Sequence, residues 1–335
     1  MARQIGIDLG SANTLIYLKD TGIILSTPTV IAIDKGTGKD VCFGSQAKKM
    51  LGKTPKHLKV SRPVRDGVIT DMDDTTLFIS KLLEKTELVS FFARPDAYVC
   101  VPCKSTEVER RAVQAAIYEA GTRNVALVQE PLAAAVGAGL KVLSPKGRMI
   151  VDIGEGTTEC AVISLGEIVV SRSQKIAGSN LDKAIINYLH NERRIEIGEL
   201  TAERLKIKYG TAMPTINRGE GELIGRNLAN GMAINAKVTS KEICYAIRPA
   251  LASIVHQIRL TLEATPPELT SDICNNGIVL SGGGALLPGI AEFISAELGV
   301  KVMVAPKPLE CVCVGIGKML ESEGELNKIL YKEYQ

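Results

Sequence analysis

Two short stretches carry the same residues at the same offsets. Asp8, Gly10 and Thr14 in QIGIDLGSANTLIYL (4–18) recur as Asp152, Gly154 and Thr158 in MIVDIGEGTTECAVI (149–163). Each stretch runs from an apolar strand into Asp, an apolar residue and Gly. Each then passes through small polar residues and re-enters an apolar strand. A tight turn of glycine and small hydroxyl residues exposes backbone N–H groups, which suit a phosphate chain. A carboxylate at each turn suits the waters around Mg²⁺. One such turn alone reads as a plain hairpin. Two matched copies, with a third glycine element SGGGALLPG (281–289), point to a nucleoside triphosphate gripped from two sides. The third element follows a strand and opens a helix, where glycine lets a flat base approach the backbone.

These turns need strands and helices to hold them. Apolar runs predict strands over 4–9, 14–18 and 28–33, then a polar region rich in Lys and Gly over 34–66. A helix is expected over 74–88 and a strand over 96–102. Thr106 and Glu109 make a capping box for the helix EVERRAVQAAIYEAG. NVALVQE is a strand, and Pro131 stands in the first turn of the helix after it. The second half repeats the plan, with strands over 148–153, 159–164 and 167–173. Its more polar insertion, 179–238, carries helices near 180–192 and 200–209 and a strand-like stretch over 221–236. A long helix follows over 240–265, with a kink or break expected at Pro249. Strand NNGIVLS, helix LPGIAEFISAELG, strand VKVMVAP and helix CVCVGIGKMLES close the chain. Two α/β halves, each opened by a hairpin and each carrying an insertion, imply duplication and a cleft between lobes. Ligands of such sheets bind at strand ends, where these turns lie.

The bulk composition is compatible with this. At 335 residues, 45% hydrophobic and 23% charged, the chain has the make-up of a globular protein with two cores. A net charge of +3 is too small to imply nucleic acid. Trp is absent and aromatics are 4%, which leaves no stacking platform for single strands. No apolar run reaches transmembrane length. MARQIGIDLG enters a strand at once, so neither a signal peptide nor an N-terminal membrane helix is expected. The eight cysteines fall mostly in apolar runs, as reduced thiols of a cytosolic protein do. Cys100 and Cys103 form a CxxC, but no second ligand pair accompanies it, and the three histidines are isolated.

IDLGSANT, QEPLAAAVGAG, VDIGEGTTE and LSGGGALLPG together resemble the superfamily of actin, heat-shock chaperone ATPases and sugar kinases. More closely, IDLGSANTLIY, VPCKSTEVERRAV, LVQEPLAAAVGAGL and AERLKIKYGTA resemble the MreB/Mbl rod-shape-determining bacterial actins, from residue 4 to about 322. The resemblance implies an α/β, actin-like ATPase fold. Two duplicated ribonuclease-H-like lobes would each carry an inserted smaller subdomain, with a nucleotide cleft between them. The first lobe would span 1–143 with its insertion at 33–66, and the second 144–309 with its insertion at 179–238. Residues 310–335 would be a C-terminal helix packing back on the first lobe, and a tail. The resemblance also implies ATP/ADP and Mg²⁺ as cofactors and weak, polymerisation-linked ATP hydrolysis. It implies filaments, antiparallel double protofilaments among their forms, on the inner face of the cytoplasmic membrane. Cell-shape membrane proteins and paralogous filament proteins are the partners it suggests, and nucleic acid is not among them.

Roles carry over residue by residue. Asp8 resembles the first-lobe Mg²⁺ carboxylate, with Gly10, Ser11, Ala12, Asn13 and Thr14 as its phosphate turn. Asp152 is its counterpart, acting through water on Mg²⁺, with Gly154, Gly156, Thr157 and Thr158 as the second turn. Glu130 resembles the residue that places or deprotonates the attacking water, with Thr157 and Asp152 beside it. Glu203 and Lys206, three apart on one helix face, resemble the ribose and base contacts. Gly282, Gly283, Gly284 and Ala285 resemble the adenine shelf, and Gly178 and Asp182 the second lobe's link to the nucleotide. Where the family has Asp-Ile-Gly-Gly-Gly-Thr-Thr, this chain has Glu155 in the middle. A carboxylate there is expected to repel the γ-phosphate or meet the metal's water, modifying turnover or phosphate release. The plain alternative turns it to solvent. The family's Gly-Asp at the start of the insertion helix is here Gly178-Ser179. Phe91 and Phe92, in LVSFFARPD, resemble a membrane-insertion loop; the alternative folds one of them into the core. Lys48, Lys49, Lys53, Lys56, Lys59, Arg62 and Arg65 could add attraction to anionic lipid, or form a solvated face. Two rival functions share the fold: a small-molecule kinase, and a nucleotide-binding scaffold without catalysis.

Overall fold

Alternating and continuous apolar runs build two sheets of the same design. The computed structural model describes residues 3–89, 94–324, 326, 327 and 329. In the first half, β1 (Gln4–Leu9), β2 (Asn13–Leu18) and β3 (Gly22–Pro28) form an antiparallel meander. The chain then leaves for a small sheet of β4 (Ile31–Asp34), β5 (Asp40–Phe43) and β6 (Leu58–Ser61), with α1 (Ser45–Lys48) beside it. A two-stranded ribbon, β7 (Val64–Arg65) and β8 (Val68–Ile69), leads to α2 (Met72–Lys85). Then come β9 (Asp96–Val101), α3 (Glu107–Glu119), β10 (Asn124–Gln129) and α4 (Glu130–Gly137). The sheet order is β10-β9-β1-β2-β3, with β9 parallel to β1 and to β10.

The second half opens with β11 (Arg148–Ile153), β12 (Thr158–Ser164) and β13 (Glu167–Gln174). Its insertion holds α5 (Gly178–Arg193), β14 (Ile195–Glu196), α6 (Glu199–Tyr209), β15 (Glu220–Asn227) and β16 (Ala233–Thr239). After it come α7 (Ser240–Glu263), α8 (Pro267–Asn276), β17 (Ile278–Ser281), α9 (Ile290–Leu298), β18 (Val302–Val304) and α10 (Cys311–Glu321). The order β13-β12-β11-β17-β18 repeats that of the first sheet, strand for strand. The copying extends to register. Leu9 pairs with Thr14 in the first hairpin, and Ile153 with Thr158 in the second. The two glycine turns are thus at equivalent points of equivalent hairpins.

Each half has its own apolar core. Ile5, Ile7, Phe78 and Leu82 fill the first, and Val151, Val162, Leu181, Ile247 and Ile254 the second. A third core joins them, where α4 meets α10. The α4 sequence EPLAAAVG is apolar almost all round, as a fully buried helix must be. Its small residues allow close approach: a Cβ on Gly137 would overlap the Cys311 carbonyl, and one on Gly315 the Ala133 carbonyl. So α10, although it follows the second sheet, packs on α4, β1 and β2 of the first half.

Local signals read well. The capping box forms, with Thr106 Oγ1 accepting from Glu109 N at 3.2 Å and Glu109 Oε2 accepting from Thr106 N at 2.7 Å. Other expectations need correction. The strand expected over 28–33 straddles the end of β3 and most of β4, and the rest of β3 lies outside the expected strands; the break falls where Thr29 N donates to Ala12 O at 3.0 Å and its Oγ1 to Gly10 O at 2.7 Å. The stretch 221–236 is a hairpin, β15 and β16. No break occurs at Pro249; α7 runs through it. An interior Pro costs a helix about 3 kcal/mol. Ile243, Ile247, Leu251, Ile254, Val255 and Ile258 are all buried along that helix, and each such side chain contributes roughly 1.5–3 kcal/mol. Among the described residues no helix is long and apolar enough to cross a membrane.

Candidate functional site

A cavity of about 1070 Å³ lies between the two sheets, with both glycine turns on its wall. Asp8 is the penultimate residue of β1, Asp152 the penultimate residue of β11, and Glu130 opens α4; all three line it. From the first turn Gly10, Ser11, Ala12 and Asn13 face the cavity, and from the second Gly154, Glu155, Gly156 and Thr157. The second turn is closed by Gly154 N donating to Thr157 O at 2.9 Å. It is braced by α5, where Gly178 N donates to Gly154 O at 3.0 Å and Ser179 N to Glu155 O at 2.8 Å.

Thr14 and Thr158 do not reach the cavity. Thr14 Oγ1 lies 2.9 Å from Thr29 Oγ1, and Thr158 Oγ1 donates to Ile176 O at 2.7 Å; both residues are fully buried. Thr14 is the second residue of β2 and Thr158 the first of β12, and alternation turns their side chains away from the turn's open face. Their hydroxyls fix the turns from behind. Ala285 is likewise buried behind its glycines, while Gly282, Gly283 and Gly284 line the cavity. Gly282 takes φ 79°, and a Cβ on Gly284 would overlap Ile153, so this element lies flush on the end of β11.

The floor is acidic. Burial, then the Asp152 charge, pushes Asp8 up to about 7. Burial raises Asp152 to about 6, against the pull of Ser281, whose Oγ donates to Asp152 Oδ1 at 2.6 Å. Glu159 is raised to about 7, chiefly by burial. Glu130 is raised well above the usual range by burial and by the charges of Glu159, Asp152 and Asp8. Buried carboxylates pressed together favour either protons or a cation. The oxygen-only donor set fits a hard ion. Among the described residues no three acidic, His or Cys side chains converge to cage a bare metal. A Mg²⁺ held by Asp8 and Asp152 would therefore keep waters, as that ion prefers.

At the other end, Lys206 Nζ donates to Gly178 O and to Asp182 Oδ2, both at 2.9 Å. Burial raises Asp182 to about 6, while Lys206 pulls it down. On the cavity wall, Asp182 Oδ1 is buried with no hydrogen-bond partner among the described residues. Glu203 also lines the cavity, and its carboxylate pairs with Lys48 Nζ at 2.9 Å.

Glu155 is not turned to solvent. Arg62 Nη1 donates to its Oε1 at 2.9 Å. The basic stretch is also not one free face, since Lys48, Lys59 and Arg62 are engaged with Glu203, with Asp71 and Asp74, and with Glu155 and Glu199. The CxxC thiols are held high by burial, Cys103 at about 12, and Cys103 Sγ donates to Glu159 Oε1 at 3.5 Å. Phe91 and Phe92 lie outside the described residues.

Several site residues escape sequence reasoning. Ser281 holds Asp152, yet its only signal is its place just before the triple glycine. The segment from Lys307 to Glu310 closes one wall, with Pro308 O accepting from Gly282 N at 2.9 Å, and KPLE carries no motif. Arg62 and Glu159 gave no signal beyond their charge.

Two like sheets, each with an inserted subdomain, joined where α4 packs on α10 and sharing one cavity walled by two matched glycine turns, define an actin-like protein. The chain belongs to the MreB/Mbl protein family, whose profile matches residues 2–328. It is 43% identical over 327 residues to the cell shape-determining protein Mbl of Bacillus subtilis, covering 98% of each chain. It is 46% identical over 325 residues to the cell shape-determining protein MreB of Escherichia coli K12, covering 96% of this chain and 94% of that one. The structure of MreB5 of Spiroplasma citri bound to AMPPNP superposes with a TM-score of 0.92 at 33% identity, covering 99% of both chains. The same protein has been solved bound to ADP.

Proposed function

We propose that this chain binds Mg-ATP between its lobes, hydrolyses it slowly and polymerises into membrane-associated filaments that determine cell shape. The observation that carries this reading is the matched pair of hairpins, in identical register, presenting glycine turns and Asp8 and Asp152 to one cavity. Its support from relatives is that MreB5 of S. citri binds ADP and AMPPNP, and that Mbl and MreB are named for cell shape.

In this reading the lobes divide near residue 143, with insertions at 33–66 and 179–238. Backbone N–H groups of both turns hold the phosphates. Asp8 and Asp152 hold the waters of Mg²⁺, which when bound neutralises phosphate charge. Glu130, whose surroundings raise its proton affinity, places the attacking water and takes its proton. Thr157 completes that side of the site. Lys206, Glu203 and Asp182 fix the sugar and base, and the glycines at 282–284 lie against the base. Phe91 and Phe92 provide the membrane contact.

The test is ATP affinity by calorimetry together with pelleting and ATP turnover. Asp8→Ala and Asp152→Ala should each weaken Mg-ATP binding about tenfold or more. Glu130→Ala should bind ATP and fail to cleave it. Unchanged affinity in both Asp variants would overturn the cleft assignment.

A further inference from the structure

The first lobe's insertion reaches the second lobe through charged side chains on the phosphate side of the cleft. Arg62 leaves the chain between β6 and β7, where its carbonyl accepts from Thr70 Oγ1 at 2.7 Å. Its Nη1 meets Glu155 Oε1 at 2.9 Å, and its Nη2 meets Glu199 Oε2 at 3.3 Å. The Arg62 and Glu155 side chains are only 15% and 21% exposed, whereas Glu199 is 61% exposed. The enclosed half of this contact therefore carries most of its strength, because water screens the other half. Glu155 is fixed at both ends: its carboxylate by Arg62, its carbonyl by Ser179 N at the start of α5.

The backbone closes over the same spot. A Cβ on Gly156 would come within 2.6 Å of Asp66 Cα and 2.9 Å of Ser11 Oγ. Gly67 N, in the β7–β8 turn, donates to Ser11 Oγ at 3.3 Å. That turn therefore lies directly on the second glycine turn. A small cavity of about 70 Å³ sits beneath Arg62, bordered by Ser11, Glu155, Gly156 and Ser179. Arg62 Nε and Ser179 Oγ are buried with no hydrogen-bond partner among the described residues.

We propose that Arg62 and Glu155 form a latch across the phosphate side of the cleft, and that nucleotide leaves only after this pair parts. The proposal rests on the nucleotide-binding reading above and names the regulation of that site. Glu155 belongs to the turn that faces the phosphates, and Arg62 to the insertion that must swing away. Separating them strands two part-buried charges, which slows opening. The expected repulsion between Glu155 and a terminal phosphate is correspondingly reduced, since the carboxylate already has its cation. The work of Glu155 is to hold the lobes together.

The experiment is stopped-flow displacement of a fluorescent ADP from the full chain in Mg²⁺, with melting curves to establish that each variant is folded. Arg62→Gln and Glu155→Gln should each speed dissociation about three- to tenfold. The double variant should be no faster than the faster single, because both singles remove the same contact. Raising salt from about 0.05 to about 0.5 M should speed the unaltered chain more than either variant. Glu155→Gly serves as the second route, removing the side chain altogether. Rates within twofold of the unaltered chain in all variants, or single effects that multiply in the double, would overturn the latch. If the unaltered chain does not retain fluorescent ADP, the nucleotide-binding reading itself fails, and the latch falls with it.

Discussion

Asp152 and Glu159 stand directly opposite each other in the β11–β12 hairpin, so their side chains share one face of the sheet. Both are buried, at 4% and 0% exposure. In the first hairpin the partner of Asp8 is Leu15. The duplicated halves therefore match in backbone and differ in charge. Glu159 makes a contact that Leu15 cannot: its carboxylate accepts from Cys103 N of the first half at 3.1 and 3.2 Å.

The nucleotide-free chain should lose stability as pH rises. Asp8 and Asp152 move from 3.8 to about 7 and about 6, and Glu159 from 4.5 to about 7. A carboxyl whose folded value is raised contributes stability below its unfolded value and loses it as pH climbs through the folded one. The window is pH 4 to 7, set by these three groups. Thermal melts without Mg²⁺ or nucleotide should give a midpoint several degrees higher at pH 5 than at pH 8, and Glu159→Gln should shrink that difference. A midpoint that rises with pH would contradict the acidic floor.

Nucleotide with Mg²⁺ should expel protons from the same floor. A cation near Asp8 and Asp152 favours their charged forms, so binding at pH 6.5 should release protons. Calorimetry in two buffers of different ionisation enthalpy reads this directly. Identical heats in both would mean that these carboxyls are already ionised.

The α4–α10 crossing should tolerate no added bulk. Gly315→Leu forces its side chain into the Ala133 carbonyl and should cost about 3 kcal/mol or more. Gly198→Ala is the control, since nothing lies within 4 Å of a Cβ there. Urea midpoints compare the two, and equal midpoints would show that the helices can move apart freely.

Phe91→Ser with Phe92→Ser should reduce pelleting with anionic liposomes while sparing ATP binding. A phenylalanine contributes roughly 1.5–3 kcal/mol when it passes from water into lipid. Membrane binding that survives the double change would shift the contact to the basic 48–65 stretch or to the tail.

What the sequence by itself determined is local. The Asp-x-Gly turns, the triple glycine, the capping box at Thr106 and the apolar helix after Pro131 are all set by neighbours within a few residues. Backbone propensity and side-chain period act over that range, so two hairpins of one design could be read and matched. Tertiary structure decided which of those residues face the cavity. Strand alternation sends Thr14 and Thr158 behind their turns, although the family resemblance counted them among the phosphate-turn residues. Tertiary structure also decided every partnership across the cleft. Arg62 meets Glu155, Lys48 meets Glu203, and Glu159 meets Cys103. None of these pairs has a period or a motif to announce it. Each exists because the close packing of α4 on α10 brings the two halves together around one cavity, and that packing is a property of the folded chain.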